Sequence, residues 1–490
     1  MKLRELLTDC CDVGVDMEID VAGLALDSRG VAQGVVFIAL QGANQHGLRH
    51  AAQAIESGAI AIVYEPCGAS EWLATIQNRV PLIPVSDLAL SLGSLASRFY
   101  REPSKRLRVI GVTGTNGKTS CTQFLGQTLE QCSIIGTLGW GGWGQLHETR
   151  NTTPDALELQ RILACCVDEG KRYVAMEVSS HGLAQGRVNG IDYSGAVYTN
   201  ISRDHLDYHG SMERYVQAKL SLLTKPGIEF AVINLDDPYS ETVLAAVPDG
   251  VKIWGSSHRG NVLPYGESVV AESVRHRLNG IEFDLIWRDE RQSVCVPLFG
   301  EFNVENTLTV VTTLLASGVD FDDAVNRIER LQAVPGRMER YGGGAAPWVF
   351  VDYAHTPDAL DKVLAGLRKQ CEKELTVVFG CGGDRDAGKR PQMGEIAQSW
   401  ADRVILTDDN PRSEAPEHIV EDIKSGCKPD KVTVIHDRAL AIAYAIKGAA
   451  AGDCVLIAGK GHEEYQEIQG RKYPFSDRSV VLSVLETCGQ

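Results

Sequence analysis

The hexapeptide Gly114-Thr115-Asn116-Gly117-Lys118-Thr119 limits what this chain can fold into more than any other stretch. An apolar run, Arg108-Val109-Ile110-Gly111-Val112-Thr113, leads into it, and a helical pattern from Thr122-Gln123-Phe124-Leu125 leads away. A strand that turns through glycines into a helix makes a phosphate cradle. The glycines let backbone N–H groups converge on phosphate oxygens, and the helix dipole favours an anion there. In that geometry Lys118 reaches the terminal phosphates and Thr119 offers its hydroxyl to Mg²⁺. The general pattern has glycine where Val112 stands, so a chance glycine-rich turn is the rival reading.

The cradle belongs to a larger alternation of strands and helices. The runs Tyr173-Val174-Ala175-Met176-Glu177-Val178 and Glu229-Phe230-Ala231-Val232-Ile233-Asn234 follow it. Such alternation predicts an α/β fold with a mostly parallel sheet. Before it, Gly34–Leu40 and Ala59–Tyr64 read as strands of a separate block, and the polar, proline-containing 101–106 reads as a linker. Ala333-Val334-Pro335-Gly336-Arg337 marks a second break. Beyond it lie four more strand runs: Trp348–Asp352, Leu375–Phe379, Arg403–Thr407 and Cys454–Ala458. At 490 residues several domains are expected. The boundaries predict 1–102, 103–333 and 334–490. Ligands of parallel sheets bind beyond the carboxyl ends of the strands, which points to the loops after those last four runs.

Composition narrows the classes. A formal net charge of −16 disfavours a nucleic-acid partner. No apolar run approaches the roughly 18 residues of a membrane span. The start, Met1-Lys2-Leu3-Arg4-Glu5, lacks the pattern of a secretory signal, so a cytoplasmic location is expected. The 13 cysteines include no C-x-x-C pair, which argues against structural zinc and for free, mostly buried thiols.

Several side chains stand where chemistry is expected. Glu177 closes an apolar strand ahead of Val178-Ser179-Ser180-His181-Gly182, and His205 lies just past another apolar run. Mg²⁺ prefers oxygen ligands, so His205 by itself reads better as a satisfied loop histidine. The segment 212–223 reads as a helix with the apolar stripe Met212, Tyr215, Val216, Leu220, Leu223, and Lys219 falls on that stripe. A lysine there must snorkel, pair or do chemistry, and snorkelling is the ordinary outcome. Near the C-terminus stand Gly380 to Asp386, Asp408-Asp409-Asn410-Pro411-Arg412 and Gly459-Lys460-Gly461-His462-Glu463-Glu464. Two arginines and several acids on neighbouring strand-end loops suit a zwitterion, although each loop alone could be a solvated turn.

Together these residues resemble the Mur ligase superfamily. The resemblance runs through Leu26-Asp27-Ser28-Arg29, the glycine loop, Asn151-Thr152-Thr153-Pro154, Glu177 to Gly182, Asn200 to Gly210 and Phe302-Asn303-Val304-Glu305-Asn306. It continues through Val334 to Arg337, Asp352-Tyr353-Ala354-His355 and Asp409 to Arg412. That superfamily's loop also lacks the first glycine, which removes the objection at Val112.

The resemblance implies three domains, binding in turn a uridine nucleotide, ATP and an amino acid, the last Rossmann-like. It implies an ATP- and Mg²⁺-dependent ligase of peptidoglycan precursor synthesis, acting through an acyl phosphate on small molecules and expected as a monomer. Leu26, Ser28 and the Ala43-Asn44-Gln45 loop would contact the uridine part. Asn151, Thr152, Thr153, Ser179, Gln185 and Arg187 would hold the muramoyl peptide. Gly114 through Thr119, with Ser120, Asn303, Arg337 and Asp352, would surround the nucleotide. Lys219 would be carbamylated, and would bind Mg²⁺ with Thr119, Glu177 and His205. Asp409-Asn410-Pro411-Arg412 matches members that add meso-diaminopimelate, with Arg412 on the distal carboxylate and Arg385, Gly459 and Glu463 completing the pocket. Closure of the last domain over the central one would exclude water from the acyl phosphate. The alternatives are a lysine-adding homologue, weakened by Arg412, a folate-type glutamate ligase, and a phosphate-loop ATP switch. A dinucleotide dehydrogenase is weaker still, because no G-x-G-x-x-G follows the first strand of the last block.

Overall fold

Each apolar run that the sequence marks as a strand forms one in the computed structural model, which describes all residues except 9, 11–16, 43–44, 77–78, 278–279, 429–431 and 489–490. The chain is α/β and carries three principal sheets in succession. Its contacts divide it into two compact units: residues 1–233 with 237–254, and residues 234–236 with 255–490.

The first unit begins with a parallel sheet of β1 (Gly23–Ala25), β2 (Val35–Ala39), β3 (Ala59–Tyr64) and β4 (Leu82–Pro84), paired in that order. Apolar clusters cover both faces, one around Leu3, Val36, Ile38 and Leu92, the other around Phe37, Leu48 and Ile62. The stretch that reads as a linker is anchored at its centre. Pro103 and Ser104 are buried in a short 3₁₀ turn, and the Ser104 hydroxyl accepts from Asp192 N–H at 3.1 Å.

The unit's larger sheet is built from β5 (Arg108–Thr113), β6 (Cys132–Gly136), β7 (Gly139–Gly142), β8 (Gln145–His147), β9 (Tyr173–Glu177), β10 (Gly195–Tyr198) and β11 (Phe230–Asn234). Its order is β11-β10-β5-β9-β6-β7-β8. The strand feeding the glycine loop is central and parallel to both neighbours, with Val112 opposite Glu177 on one side and Val197 on the other. Covered on both faces, β5 needs a continuous apolar run rather than an alternating one. That register brings the ends of β5, β9 and β10 together, the usual place for ligands in such sheets.

In sequence β12 (Lys252–Ser257) follows, then β13 (Glu267–Arg277), β14 (Gly280–Trp287) and β15 (Glu290–Val296). The last three form an antiparallel ribbon in the second unit, which strand-helix alternation does not anticipate. The second unit's main sheet contains β16 (Glu339–Gly342), β17 (Trp348–Asp352), β18 (Leu375–Phe379), β19 (Arg403–Leu406), β20 (Val432–Val434) and β21 (Cys454–Ala458). Its order is β16-β17-β21-β18-β19-β20, parallel except for β16 at the edge. A hairpin of β22 (Tyr465–Ile468) and β23 (Arg471–Pro474) follows. The four strand ends singled out by the sequence are thus consecutive neighbours in one sheet.

Candidate active site

Gly114 and Gly117 make the turn out of β5, at φ 151° and 82°. A side chain on Gly114 would collide with Thr199 Oγ1, so the loop sits as tightly on β10 as a glycine permits. The helix Lys118–Thr128 starts at Gly117. The loop is held from behind. Asn200 accepts from Asn116 N–H at 2.9 Å and donates to Asn116 O at 3.1 Å, and Thr115 Oγ1 meets Tyr215 OH at 2.9 Å. Lys118 Nζ lies over the loop, donating to Gly114 O at 2.9 Å and Thr115 O at 2.8 Å.

Glu177, fully buried at the end of β9, collects three hydrogen bonds. Thr119 Oγ1 donates at 3.0 Å, Thr137 N–H at 2.8 Å and Thr137 Oγ1 at 3.1 Å. Thr137 was not singled out by sequence. A lone threonine after a strand carries no signal until the parallel pairing of β6 and β9 places it beside Glu177. Thr137 Oγ1 also lies 3.0 Å from Thr152 Oγ1. Neighbouring Thr153 donates to Ser179 Oγ at 3.1 Å and its carbonyl accepts from Arg187 at 2.8 Å. Arg187 in turn donates to Gln185 at 2.8 Å. Thr152, Thr153, Ser179, Gln185 and Arg187 therefore form one connected patch, with Asn151 exposed beside it.

Lys219 does not snorkel. The helix runs Met212–Leu220, three residues shorter than the apolar stripe suggests, and buries Tyr215, Val216, Lys219 and Leu220 together. Lys219 is 1% exposed, and its Nζ donates to Gly114 O at 2.6 Å and lies 4.6 Å from the Tyr215 ring centroid. Four methylenes cannot reach solvent from a helix face sealed by the glycine loop. Burial, with the Lys118 charge nearby, holds the amine well below the usual lysine range. His205 takes the left-handed region at φ 52°, and its ring packs 4.7 Å from that of His181. Burial lowers its pKa despite Asp204, whose Oδ2 is 3.4 Å away. Among the described residues no three His, Cys, Asp or Glu side chains gather as a metal site. The Thr119–Glu177 pair is instead an all-oxygen donor set, which suits a hard cation such as Mg²⁺.

In the N-terminal sheet Ser28 is buried and donates to Gln53 at 2.8 Å, while Leu26 packs on the apolar cluster. Gln45 accepts from Arg49 at 2.6 Å; Ala43 and Asn44 lie outside the described residues.

The second unit holds the remaining candidates. Asp352, buried at the end of β17, accepts from Met338 N–H at 2.7 Å and Ala354 N–H at 2.8 Å. Burial raises its pKa, against the opposing pull of Arg337. The Arg337 guanidinium stacks 4.4 Å from the Tyr353 ring centroid. Asn303 is buried and donates to Phe299 O at 2.7 Å. The loops after β18, β19 and β21 converge: an added Cβ on Gly382 would lie 2.9 Å from Arg412 Nη1 and 3.6 Å from Arg385 Cγ, and one on Gly459 would lie 2.7 Å from Asp409 Oδ2. Asn410 Nδ2 donates to Glu463 Oε2 at 2.9 Å, and Pro411 lies buried between Asn410 and Arg412. Lys460, which the sequence places in the loop without a role of its own, has no exposed surface and donates to both Asn410 Oδ1 and Glu463 Oε2 at 3.0 Å.

Known proteins resemble the chain along its length. Residues 20–100 match the Mur ligase family catalytic domain, 112–314 the Mur ligase middle domain, and 336–461 the Mur ligase glutamate ligase domain. A UDP-N-acetylmuramoyl-L-alanyl-D-glutamate–2,6-diaminopimelate ligase of Pseudomonas aeruginosa is 48% identical over 467 residues, 94% of each chain. One from Coxiella burnetii is 42% identical, covering 97% of this chain and 98% of its own. A solved structure of a ligase with that name superposes at TM-score 0.73 with 36% identity, covering 100% of this chain and 99% of its own. An Acinetobacter baumannii MurF structure shares the fold at TM-score 0.69 and 20% identity, covering 99% of this chain and 98% of its own.

Proposed function

Because this chain belongs to the Mur ligase family, we propose that it adds meso-diaminopimelate to UDP-N-acetylmuramoyl-L-alanyl-D-glutamate, consuming ATP through an acyl phosphate. The observation that carries the reading is a fully buried glutamate and a fully buried lysine on one phosphate loop, Glu177 bonded to Thr119 and Lys219 to Gly114. Buried ionisable groups are costly unless they serve something the loop binds.

The backbone N–H groups of Gly114 to Thr119, with Ser120, hold the phosphates, and Lys118 swings from its loop carbonyls onto the terminal ones. Asn303, Arg337 and Asp352 hold the rest of the nucleotide. Lys219, whose charged form burial disfavours, attacks CO₂ as the free amine: an N–C bond forms, a C=O electron pair moves to oxygen, and one nitrogen proton is released to water as the site exchanges with solvent. The resulting carbamate, with Thr119, Glu177 and His205, would hold Mg²⁺. When bound, that ion supplies positive charge against the phosphate oxygens.

Leu26, Ser28 and the 43–45 loop take the uridine end. Asn151, Thr152, Thr153, Ser179, Gln185 and Arg187 orient the dipeptide so that its γ-carboxylate attacks the γ-phosphorus in line, breaking the bond to ADP. Arg385, Asp409, Asn410, Pro411, Arg412, Gly459 and Glu463 hold diaminopimelate, whose amine attacks the acyl carbon and expels phosphate. Arg412 takes the distal carboxylate, a contact lysine cannot make, and the site rejects lysine because the arginine would lose its partner. The domains divide at 102 and 333, and the enzyme acts as a cytoplasmic monomer.

The test is phosphate release with the UDP-muramoyl dipeptide and a panel of diamino acids. The reading expects turnover with meso-diaminopimelate and strict need for both substrates. Preference for lysine would overturn the specificity, and phosphate release without either substrate would favour a switch.

A further inference from the structure

Asn410 is the hub of a buried polar network that reaches beyond the expected pocket residues. It is 3% exposed. Its Oδ1 accepts from Lys460 Nζ at 3.0 Å and from Glu467 N–H at 2.8 Å, while its Nδ2 donates to Glu463 Oε2. Lys460 gives a second bond to the same Glu463 oxygen, so one buried ammonium fixes both side chains. A buried charge is tolerated only with such partners, and they are correspondingly hard to displace.

The hairpin β22–β23 does the same for Arg412. Glu467 Oε2 accepts from Arg412 Nε at 3.1 Å, Glu467 O accepts from Arg412 N–H at 3.0 Å, and Gln469 N–H donates to Arg412 O at 2.7 Å. Arg412 stands at φ 52°, a left-handed conformation unfavourable for arginine, so the hairpin rather than local preference keeps it there. Gly383 O accepts from Nη1 at 2.9 Å, which fixes the plane of the guanidinium.

We propose that Lys460 and Glu467 are positioning residues of the amino-acid pocket. Lys460 presets Glu463 and Asn410. Glu467, through the hairpin, presets Arg412 and so sets the selection between amino acids with and without a second carboxylate. The inference rests on the function proposed above. A bidentate contact depends on the orientation of the guanidinium plane as much as on its charge, so losing Glu467 acts on selectivity before it acts on the chemical step.

The experiment measures phosphate release by the full-length enzyme at saturating ATP and dipeptide, varying meso-diaminopimelate and L-lysine separately. The variants are Glu467→Ala, Glu467→Gln and Lys460→Met, each checked by thermal melting. Glu467→Ala is expected to raise KM for diaminopimelate by about tenfold or more and to shrink the preference over lysine. The KM values for dipeptide and ATP, each measured by varying that substrate in turn, stay where they were. Glu467→Gln keeps an acceptor for Nε and recovers part of the loss even if the alanine variant folds poorly. Lys460→Met raises KM for both amino acids, because Glu463 loses its anchor. An unchanged amino-acid KM, or a uniform fall in kcat with no change in selectivity, overturns the proposal. A wild type that adds no amino acid removes the function reading and this inference with it. A wild type active with diaminopimelate beside unaltered variants sinks the inference alone. If wild type prefers lysine, the selectivity role of Glu467 falls with the specificity reading.

Discussion

Replacing Glu177 by glutamine and by alanine separates its structural and chemical contributions. The carboxylate accepts from Thr119 Oγ1, Thr137 N–H and Thr137 Oγ1. Glutamine can keep all three contacts by turning its carbonyl to the Thr137 N–H and its amide hydrogens to the two hydroxyls, which rotate to accept. A hydrogen bond to a charged group contributes about 1.5–3 kcal/mol net and a neutral one about 0.5–1.5, so three weakened bonds cost about 3–4.5 kcal/mol, which the smaller desolvation cost of a neutral buried side chain offsets. In alanine the Thr137 hydroxyl still has Thr152, but the Thr119 hydroxyl and the Thr137 N–H lose their partner. Two stranded donors cost about 1–3 kcal/mol each, before any cavity is counted. Glu177→Gln should therefore melt near wild type or modestly below it, and Glu177→Ala clearly lower. Catalysis should not follow that order. Glutamine removes the negative charge beside Thr119, and kcat should fall by about 10²–10³ in phosphate release, with a higher Mg²⁺ requirement. A Glu177→Gln enzyme that turns over like wild type at ordinary Mg²⁺ would refute the role assigned to this carboxylate.

Other expectations follow from the same geometry. With ¹³C-bicarbonate, a carbamate resonance should appear in wild type and be absent from Lys219→Met, which should bind ATP but not turn over; full activity of that variant would end the carbamate assignment. Gly114→Ala forces a Cβ into Thr199 Oγ1 and should abolish nucleotide binding in a fluorescence titration while the N-terminal sheet stays folded. Burial and Arg337 bring His462 down to about 4 from 6.5. Between those values the unfolded chain binds a proton that the folded chain refuses, so stability falls as pH drops through that window. His462→Gln should flatten that slope in denaturant titrations at several pH values; an unchanged slope would contradict the burial argument.

How much was legible in the sequence depends on the range of the signal. Runs such as Val109–Val112 and Val455–Ala458 announce buried parallel strands, because both faces are covered and every residue must be apolar. Alternation announces the four C-terminal strands but not their order, because β21, last in the chain, inserts between β17 and β18. The ribbon β13–β15 was missed because its half-exposed strands carry mixed polarity. At the site, the glycine loop and Glu177 were readable because motif and strand end coincide. Thr137 and Lys460 were not, since only pairing and burial distinguish them from ordinary loop residues. Lys219 was read on the right helix face but with the wrong ordinary outcome: periodicity shows which way a side chain points, not whether solvent lies within reach.

The most direct test of the central claim is a single incubation of purified protein with ATP, UDP-N-acetylmuramoyl-L-alanyl-D-glutamate and meso-diaminopimelate, followed by mass spectrometry of the nucleotide-sugar product and a phosphate count. The expected result is one amide-linked product and one phosphate per turnover, with neither forming when any component is withheld. Product formed without ATP consumption, or phosphate released at full rate without the amino acid, would contradict it.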